Sequence, residues 1–202
     1  MFKAHCPVAD RVRDVARRAI KDLAKHVATQ TLDAGLYRAW KCGEPGNCIN
    51  AFEVVTGPGW LLIRGDMGTC LWERTNDMLG WCRGSINSLG YFAEKVSREI
   101  KIKEYDPDIA KAWLLDQIID FWNDHHGDDM DADEWHQWKE ITDLYRDGDP
   151  SEKLDWERDV MDTGINDGGD YPDWRNYTYH FLWQREALKW LFAEITKQEK
   201  RV

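Results

Sequence analysis

Four short runs of aromatic and β-branched residues lie close together in the first half of this 202-residue chain, and turn-forming residues separate them. The runs are residues 36–41, 51–56, 60–64 and 69–73, and the segments between them, such as CGEPGNCIN and TGPG, are rich in Gly, Pro and Asn. Proline presets φ and glycine accepts positive φ, so such segments make tight turns between paired strands. The pattern predicts a small antiparallel sheet of three or four strands.

Helical periodicity precedes and follows these strands. Apolar residues recur every three or four positions over residues 7–29, within an N-terminal segment 1–30 whose other faces carry arginine and lysine. After a sheet region at 35–105, residues 106–202 have the spacing of helices at 109–123, 133–146, 151–161 and 176–198, joined by acidic loops. The order helix, strands, helices predicts a single α+β domain over 1–202, with the sheet packed against several helices and a mostly helical C-terminal half.

Charge is distributed unevenly along the chain. Residues 1–105 hold 16 Lys and Arg against 12 Asp and Glu, whereas residues 106–202 hold 11 against 25. The acidic residues are densest over 116–173, where there are 20 of them and only 4 basic residues. Such a surface repels nucleic acid and attracts a basic protein surface. Its candidate binding residues are Asp124, Asp128, Asp129, Asp131, Asp133 and Glu134.

Targeting signals and cysteine motifs are missing from the sequence. No apolar run is long enough for a membrane-spanning helix, and the first residues lack the apolar core of a signal peptide. The five cysteines are an odd number without CxxC spacing, which favours buried thiols in a reducing compartment over disulfides or a zinc site. We therefore expect a cytoplasmic protein without a membrane partner, cofactor or bound metal.

The segment DMDADEWHQWKE has part of the spacing of a calcium-binding loop. Asp129, Asp131, Asp133 and Glu140 fall at positions 1, 3, 5 and 12 of an EF-hand. Position 6 needs glycine for a sharp turn, but Glu134 occupies it. We interpret the segment as an acidic loop between two helices, with Asp133 capping the second helix.

The preceding segment WNDHHGDD contains four residues that often bind metals: Asp124, His125, His126 and Asp128. Successive side chains at a helix end point about 100° apart, so adjacent histidines do not converge on one ion. This spacing favours a solvated helix end over a metal site.

Twelve tryptophans distinguish the composition. Six have the spacing of helix core positions, namely Trp113, Trp122, Trp135, Trp138, Trp183 and Trp190. The other six are Trp40, Trp60, Trp72, Trp81, Trp156 and Trp174. Core packing is the favoured interpretation of most of these large rings. Rings beside Arg64, Arg74 or Arg83 would alternatively stack on a base or hold a nucleotide.

The loop RGDMG lies between the last two predicted strands. A hairpin turn explains Gly65 and Gly68, which permit unusual backbone angles, and Asp66, whose carboxylate bonds nearby amides. The turn leaves Arg64 unexplained, and Arg74 follows the second strand; both would bind a phosphate or a partner's carboxylate. The candidate anion or nucleotide site comprises Arg64, Asp66, Arg74, Trp40, Trp60 and Trp72.

Two stretches combine distinctive turn and aromatic motifs. They are WKCGEPGNCINAFEVVTGPGWLLIRGDMG with ERTNDMLGWCRGSINSLGYFAEKV, within residues 40–96, and DGGDYPDWRNYTYHFLWQREALKW, residues 167–190. Together they resemble a family of bacteriophage and prophage proteins of similar length whose function is unknown. The resemblance implies an accessory protein that acts in the cytoplasm of an infected bacterium, and it carries over no catalytic residue.

Three functions follow as hypotheses. The first is a non-enzymatic inhibitor of a host defence protein, whose basic, nucleic-acid-binding face the acidic surface would occupy. The second is a module that sequesters a signalling nucleotide in the Arg/Trp site. The third is a metal-dependent hydrolase using Asp66, Asp77 or an Asp/His cluster. The chain has no nucleophile elbow, P-loop or GxGxxG motif, which favours a non-enzymatic role.

Overall fold

The computed structural model describes residues 6–125, 130–165 and 172–200, and its fold class is α+β, as the sequence predicts. In chain order the elements are α1 (Pro7–Asp22), β1 (Val27–Ala34), β2 (Tyr37–Gly43), β3 (Phe52–Gly57), β4 (Trp60–Gly65), β5 (Gly68–Glu73), α2 (Met78–Ser85), α3 (Leu89–Glu94), β6 (Lys103–Tyr105), α4 (Pro107–Asp124), α5 (Ala132–Asp147), α6 (Lys153–Asp162), β7 (Arg175–Tyr177) and α7 (Tyr179–Glu199).

The chain divides into two compact units, each with its own hydrophobic core. The sheet unit consists of Arg11–Ile102 and Tyr177–Val202. The helical unit consists of Met1–Asp10 and Lys103–Asn176. The prediction that residues 1–202 form a single domain stays a prediction.

The sheet is an antiparallel meander of five strands in the order β1-β2-β3-β4-β5, one strand more than the sequence predicts. The four predicted strands are confirmed as β2 to β5. The additional strand, β1, begins within the helix that the sequence predicts over residues 7–29, because the four-residue spacing of Leu23 and Val27 continues the apolar periodicity. The helix ends at Asp22, and the β-branched Val27, Thr29 and Thr31 favour an extended segment that pairs with β2.

One face of the sheet carries the core of the sheet unit. Alternate residues of successive strands are buried there, including Trp40, Phe52, Leu61 and Trp72. Helix α7 contacts both β1 and β5 and buries ten of its residues. Each fully buried large apolar side chain contributes about 1.5–3 kcal/mol to folding. The core therefore joins the meander to a helix from the far end of the chain.

A buried arginine fixes α7 to the segment that follows α2. Arg185 Nε donates to the Ile86 carbonyl at 2.8 Å, and its Nη2 donates to the Asn87 carbonyl at 3.4 Å. Burial lowers the pKa of Arg185, while the neighbouring Glu186 opposes that shift. The guanidinium thus satisfies carbonyl groups at a helix end.

The helical unit contains α4, α5 and α6, confirming the helices that the sequence predicts at 109–123, 133–146 and 151–161. Asp106 caps α4 by accepting from the Asp108 amide, and its carboxylate also accepts from Asn176 Nδ2 at 2.7 Å. No helix among the described residues is long and apolar enough to cross a membrane. The core residues of this unit are Ala110, Leu114, Ile141, Trp156, Val160 and Trp174.

Candidate functional site

The predicted acidic surface begins at a capping box on α5. Asp131 Oδ1 accepts from the amides of Asp133 and Glu134, both at 2.9 Å. Glu134 Oε2 accepts in return from the Asp131 amide at 2.8 Å. Asp131, rather than the predicted Asp133, is therefore the N-cap, because only it precedes the first helical residue. Two of the predicted binding carboxylates thus stabilise the helix start, while Asp133 is exposed.

Other acidic residues form a stripe along α4. Asp116, Asp120 and Asp124, which we call the acidic stripe, are four residues apart, so they share one side of the helix. All three are exposed, and in the described ranges no cation pairs with any of them. Asp128 and Asp129, which complete the predicted surface, lie outside the described residues.

Three tryptophans of α4 and α5 pack against one another. We call Trp122, Trp135 and Trp138 the tryptophan triad. Their ring centroids are 5.4 Å apart for Trp122 and Trp138, 5.6 Å for Trp135 and Trp138, and 6.2 Å for Trp122 and Trp135. Such distances are those of favourable aromatic pairs.

The triad lies outside the core, contrary to the interpretation from spacing. Trp122 is 40% exposed and Trp135 is 42% exposed, and Trp138 is half-buried. Among described side chains, those packed against the core of the helical unit include Trp113 and Phe121 but none of the triad. The apolar residues of α4 cover a wide arc of the helix surface, and only part of that arc packs against the core.

Two aliphatic residues extend this exposed apolar surface along α4. Leu115 and Ile119 are 37% and 49% exposed and precede Trp122 by seven and three residues, so the three share one side of the helix. Asp116 and Asp120 each follow one of the aliphatic residues, which places the acidic stripe about 100° round the helix. We call the aliphatic pair, the triad and the acidic stripe together the α4–α5 face.

Three basic residues of the helical unit are paired with acids of their own helices. Arg146 Nη2 lies 2.6 Å from Asp143, Lys153 Nζ lies 3.1 Å from Glu157, and Arg158 Nη2 lies 3.0 Å from Asp155. The unit holds 24 acidic residues against 8 basic ones, a net charge of −16. A large acidic surplus is therefore not neutralised within the unit.

Arg64, the main candidate of the predicted anion site, is bound to an acid of the neighbouring strand. Its Nε and Nη2 donate to Glu53 Oε2 at 2.9 and 2.6 Å. Lys41 Nζ lies 3.6 Å from the other Glu53 oxygen. These contacts, chiefly the Arg64 hydrogen bond, lower the pKa of Glu53. The three side chains line a cavity of about 580 Å³, where the cations already have an internal partner.

The rest of the RGDMG loop is a tethered hairpin turn. Asp66 Oδ2 accepts from the Asn50 amide at 2.9 Å, and the Asp66 amide donates to the Ala51 carbonyl. Gln184 Nε2, from the buried side of α7, donates to the Met67 carbonyl at 2.8 Å. The loop therefore has a structural role that accounts for Asp66.

Arg74 is far from Arg64, which corrects the predicted two-arginine clamp. Arg64 pairs with Thr69 beside the turn, whereas the Arg74 amide donates to the Gly59 carbonyl at the opposite end of the hairpin. Thr69 and Arg74 are five residues apart, which corresponds to about 17 Å along a strand. One phosphate cannot bridge the two arginines.

The three tryptophans of the predicted site are also separated by burial. Trp40 is 2% exposed and Trp72 is fully buried, with its Nε1 donating to the Phe92 carbonyl at 3.2 Å. Trp60 is partly exposed and packs over Gly57. A ring that is buried in the core offers no free face to a base, so the predicted stacking on Trp40 or Trp72 is corrected.

Groups that would carry catalysis are held in structural roles. Burial raises the pKa of Cys42 and Cys70 to about 12, which keeps both thiols protonated. Asp77 is the N-cap of α2 and accepts from the Gly80 amide. His125 Nδ1 lies 2.8 Å from a carbonyl of its own helix. In the part of the chain that the structure describes, no three His, Cys, Asp or Glu residues group as metal ligands.

Comparison with known proteins gives no relative from which a role can be carried over. No protein-family model, curated protein or solved structure matches this chain.

Proposed function

We propose that this chain is a non-enzymatic binding protein whose α4–α5 face occupies a basic, nucleic-acid-binding surface of another protein. From the resemblance to bacteriophage proteins, we propose that the partner is a defence protein of the infected bacterium and that binding inhibits it. The observation that carries the proposal is the tryptophan triad, with Trp122 and Trp135 exposed, beside an acidic stripe that pairs with no cation of the described residues.

The triad supplies the affinity in this proposal. Trp122 and Trp135 each expose about 100 Å², and burial of that area contributes roughly 2.5 kcal/mol per ring. Tryptophan is enriched among the few residues that dominate interface energies. Leu115 and Ile119 extend the apolar contact beyond the triad.

The acidic stripe supplies steering and partner choice. Nucleic-acid-binding surfaces are basic because they contact phosphates. A face with the opposite sign accelerates encounter with such a surface and disfavours neutral or acidic partners. The protein would therefore compete with nucleic acid for the partner's binding site.

The alternative functions receive less support from the geometry. A nucleotide held between Arg64 and Arg74 would need two arginines that lie at opposite ends of a hairpin. Arg64 would also have to leave Glu53. A hydrolase that used Asp66 or Asp77 would need carboxylates that already hold backbone amides.

Affinity capture from a host lysate tests the proposal with a matched pair of baits. One bait combines Trp122→Ala and Trp135→Ala; the control is Trp60→Ala, which truncates a partly exposed tryptophan of the sheet unit. We expect the wild type and the control to retain a nucleic-acid-binding protein that duplex DNA displaces. The double variant should lose it. Equal retention by the double variant, or a captured protein that DNA never displaces, would contradict the proposal.

A further inference from the structure

A second cavity of the sheet unit lies among β1, β2, α2 and α7 and has a volume of about 620 Å³. This volume is typical of a site for a small molecule. Trp40, Leu79 and Ile195 give it an apolar lining, and all three are buried. Its charged lining residues are Asp33, Arg38, Asp77, Arg83 and Glu199.

The charged side chains differ in depth according to sign. Arg38 and Arg83 have side chains that are only 25% and 30% exposed. Asp33, Asp77 and Glu199 are 67%, 53% and 57% exposed. The guanidinium groups thus lie deeper than the carboxylates, which form the rim.

Hydrogen-bond donors at this cavity lack acceptors among the described residues. Arg38 contacts Asp77 at 3.6 Å and Asp33 at 4.0 Å, which are ion pairs longer than hydrogen bonds. Arg83 Nη2 reaches Glu199 at 3.2 Å, but its Nε is buried without a partner. Trp40 Nε1 is also buried without a partner. The two guanidinium groups therefore have N–H donors left for an acceptor in the cavity, whereas the enclosed Trp40 indole serves as part of the apolar wall.

We infer that this cavity binds a small zwitterion. Its carboxylate or phosphate accepts from the guanidinium groups of Arg38 and Arg83, and its cationic group faces the carboxylates of the rim. A simple anion would meet three carboxylates, and a simple cation would leave the donors unsatisfied. The apolar lining accommodates the body of the molecule. This site is independent of the α4–α5 face.

The fold groups Trp40 with different arginines from those that the sequence suggests. Trp40 was grouped with Arg64 and Arg74 because all three lie near one another in the chain. In the fold, Trp40 shares its cavity with Arg38 and with Arg83, which arrives from α2.

Side-chain NMR of the full-length, ¹⁵N-labelled protein tests the inference. Trp40→Phe assigns the Trp40 indole signal by removing it. The probes are L-phenylalanine and phosphoethanolamine as zwitterions, with acetate and ethylamine as the matched anion and cation. We expect saturable movement of the Trp40 indole and Arg83 Nε–H signals with a zwitterion. The preferred zwitterion distinguishes a carboxylate from a phosphate ligand.

Three variants make the result specific. Arg38→Gln should weaken binding at least about tenfold, as expected when a charge-assisted hydrogen bond is lost. Arg64→Gln, on the same sheet but outside this cavity, should bind as the wild type does. If Arg38→Gln disturbs the sheet, Arg83→Lys, which keeps the charge and removes the forked guanidinium donors, should give the same loss. The inference is overturned if neither zwitterion moves the Trp40 signal, if acetate alone moves it equally, or if the cavity variants bind unchanged.

Discussion

Both units bury tryptophans in their cores, but among the described residues the helical unit also has an exposed cluster of them. In the sheet unit, Trp40, Trp72 and Trp183 are buried between the sheet and its helices. In the helical unit, Trp122 and Trp135 are about two-fifths exposed and pack on each other. A buried tryptophan is explained by folding, whereas an exposed cluster beside charge is typical of a surface that meets a partner.

Charge separates the units in the same sense. The sheet unit holds 19 basic and 13 acidic residues, a net of +6, and the helical unit has a net of −16. Cations of the sheet are matched by local acids, as with Arg64 and Glu53. Carboxylates of the acidic stripe have no such match among the described residues. On this difference we base the proposal that the helical unit carries the surface for a protein partner.

The strongest test of this comparison truncates one tryptophan in each unit. Trp72→Ala should lower the free energy of unfolding by about 3–5 kcal/mol, because it leaves a cavity in the core. Trp122→Ala should cost less than about 1 kcal/mol, because its ring is partly exposed outside the core. Denaturant unfolding measures both. Similar losses would show that the triad is part of the folded core.

Glycine substitutions test whether the RGDMG loop is structural. A Cβ on Gly65 would clash with the Ala51 carbonyl and lie 2.7 Å from Phe52 Cα, so Gly65→Ala should cost about 1–3 kcal/mol of unfolding free energy. Gly84→Ala, in α2, has open space and should gain about 0.5–1 kcal/mol. Thermal unfolding distinguishes the two. If Gly65→Ala left the free energy of unfolding unchanged, the structural role of the loop would be contradicted.

The start of α5 contains one carboxylate that caps the helix and another that is only exposed. Asp131→Ala should lower the free energy of unfolding by about 1 kcal/mol through loss of the N-cap. Asp133→Ala removes an exposed acid of the same turn and should cost only a few tenths of a kcal/mol. Amide hydrogen exchange at the start of α5 reports the change locally. The reverse order would restore Asp133 as the cap.

The smallest expected effect concerns the ion pair of the sheet. Because Arg64 lowers the pKa of Glu53, the pair stabilises the fold at neutral pH, and this contribution is lost as pH falls through the lowered pKa. Arg64 is well exposed, so the contribution should be less than about 1 kcal/mol. Glu53→Gln should reduce the acid dependence of stability by that amount, measured by urea unfolding at neutral and acid pH. An unchanged acid dependence would show that groups other than Glu53 cause the loss of stability in acid.

Local chemistry predicts much of this fold. Turn residues between short apolar runs located β2 to β5, and the periodicity of 109–123 and 133–146 located α4 and α5. The strand β1 was missed because Leu23 and Val27 imitate helical spacing, while the pairing that decides the outcome involves β2. The two strands form a hairpin with a two-residue turn, but seven of the eight β1 residues are exposed, so the strand lacks an alternating apolar pattern that would mark it.

The candidate site was less predictable, because exposure and ion pairing depend on neighbouring elements of the fold. Spacing shows which side of α4 is apolar but not whether another element covers it, so Trp122 was assigned to the core. The sequence leaves the charge of Arg64 unexplained, because its partner Glu53 lies on the adjacent strand. Arg38 and Arg83 line the same cavity because the fold brings β2 and α2 together, and no sequence motif marks either residue.

The most direct test of the central claim is the ionic-strength dependence of association with the captured partner. The rate constant is measured for the wild type, for a triple variant of the acidic stripe (Asp116→Asn, Asp120→Asn and Asp124→Asn), and for a control that removes three charges from α6 (Asp155→Asn, Asp159→Asn and Asp162→Asn). We expect the wild-type rate to fall steeply as salt rises from about 0.05 M to about 0.5 M. The α4 variant should associate about tenfold more slowly at low salt, with a smaller effect of the α6 control. Equal rates for the two variants, or no dependence on salt, would contradict binding through the α4–α5 face.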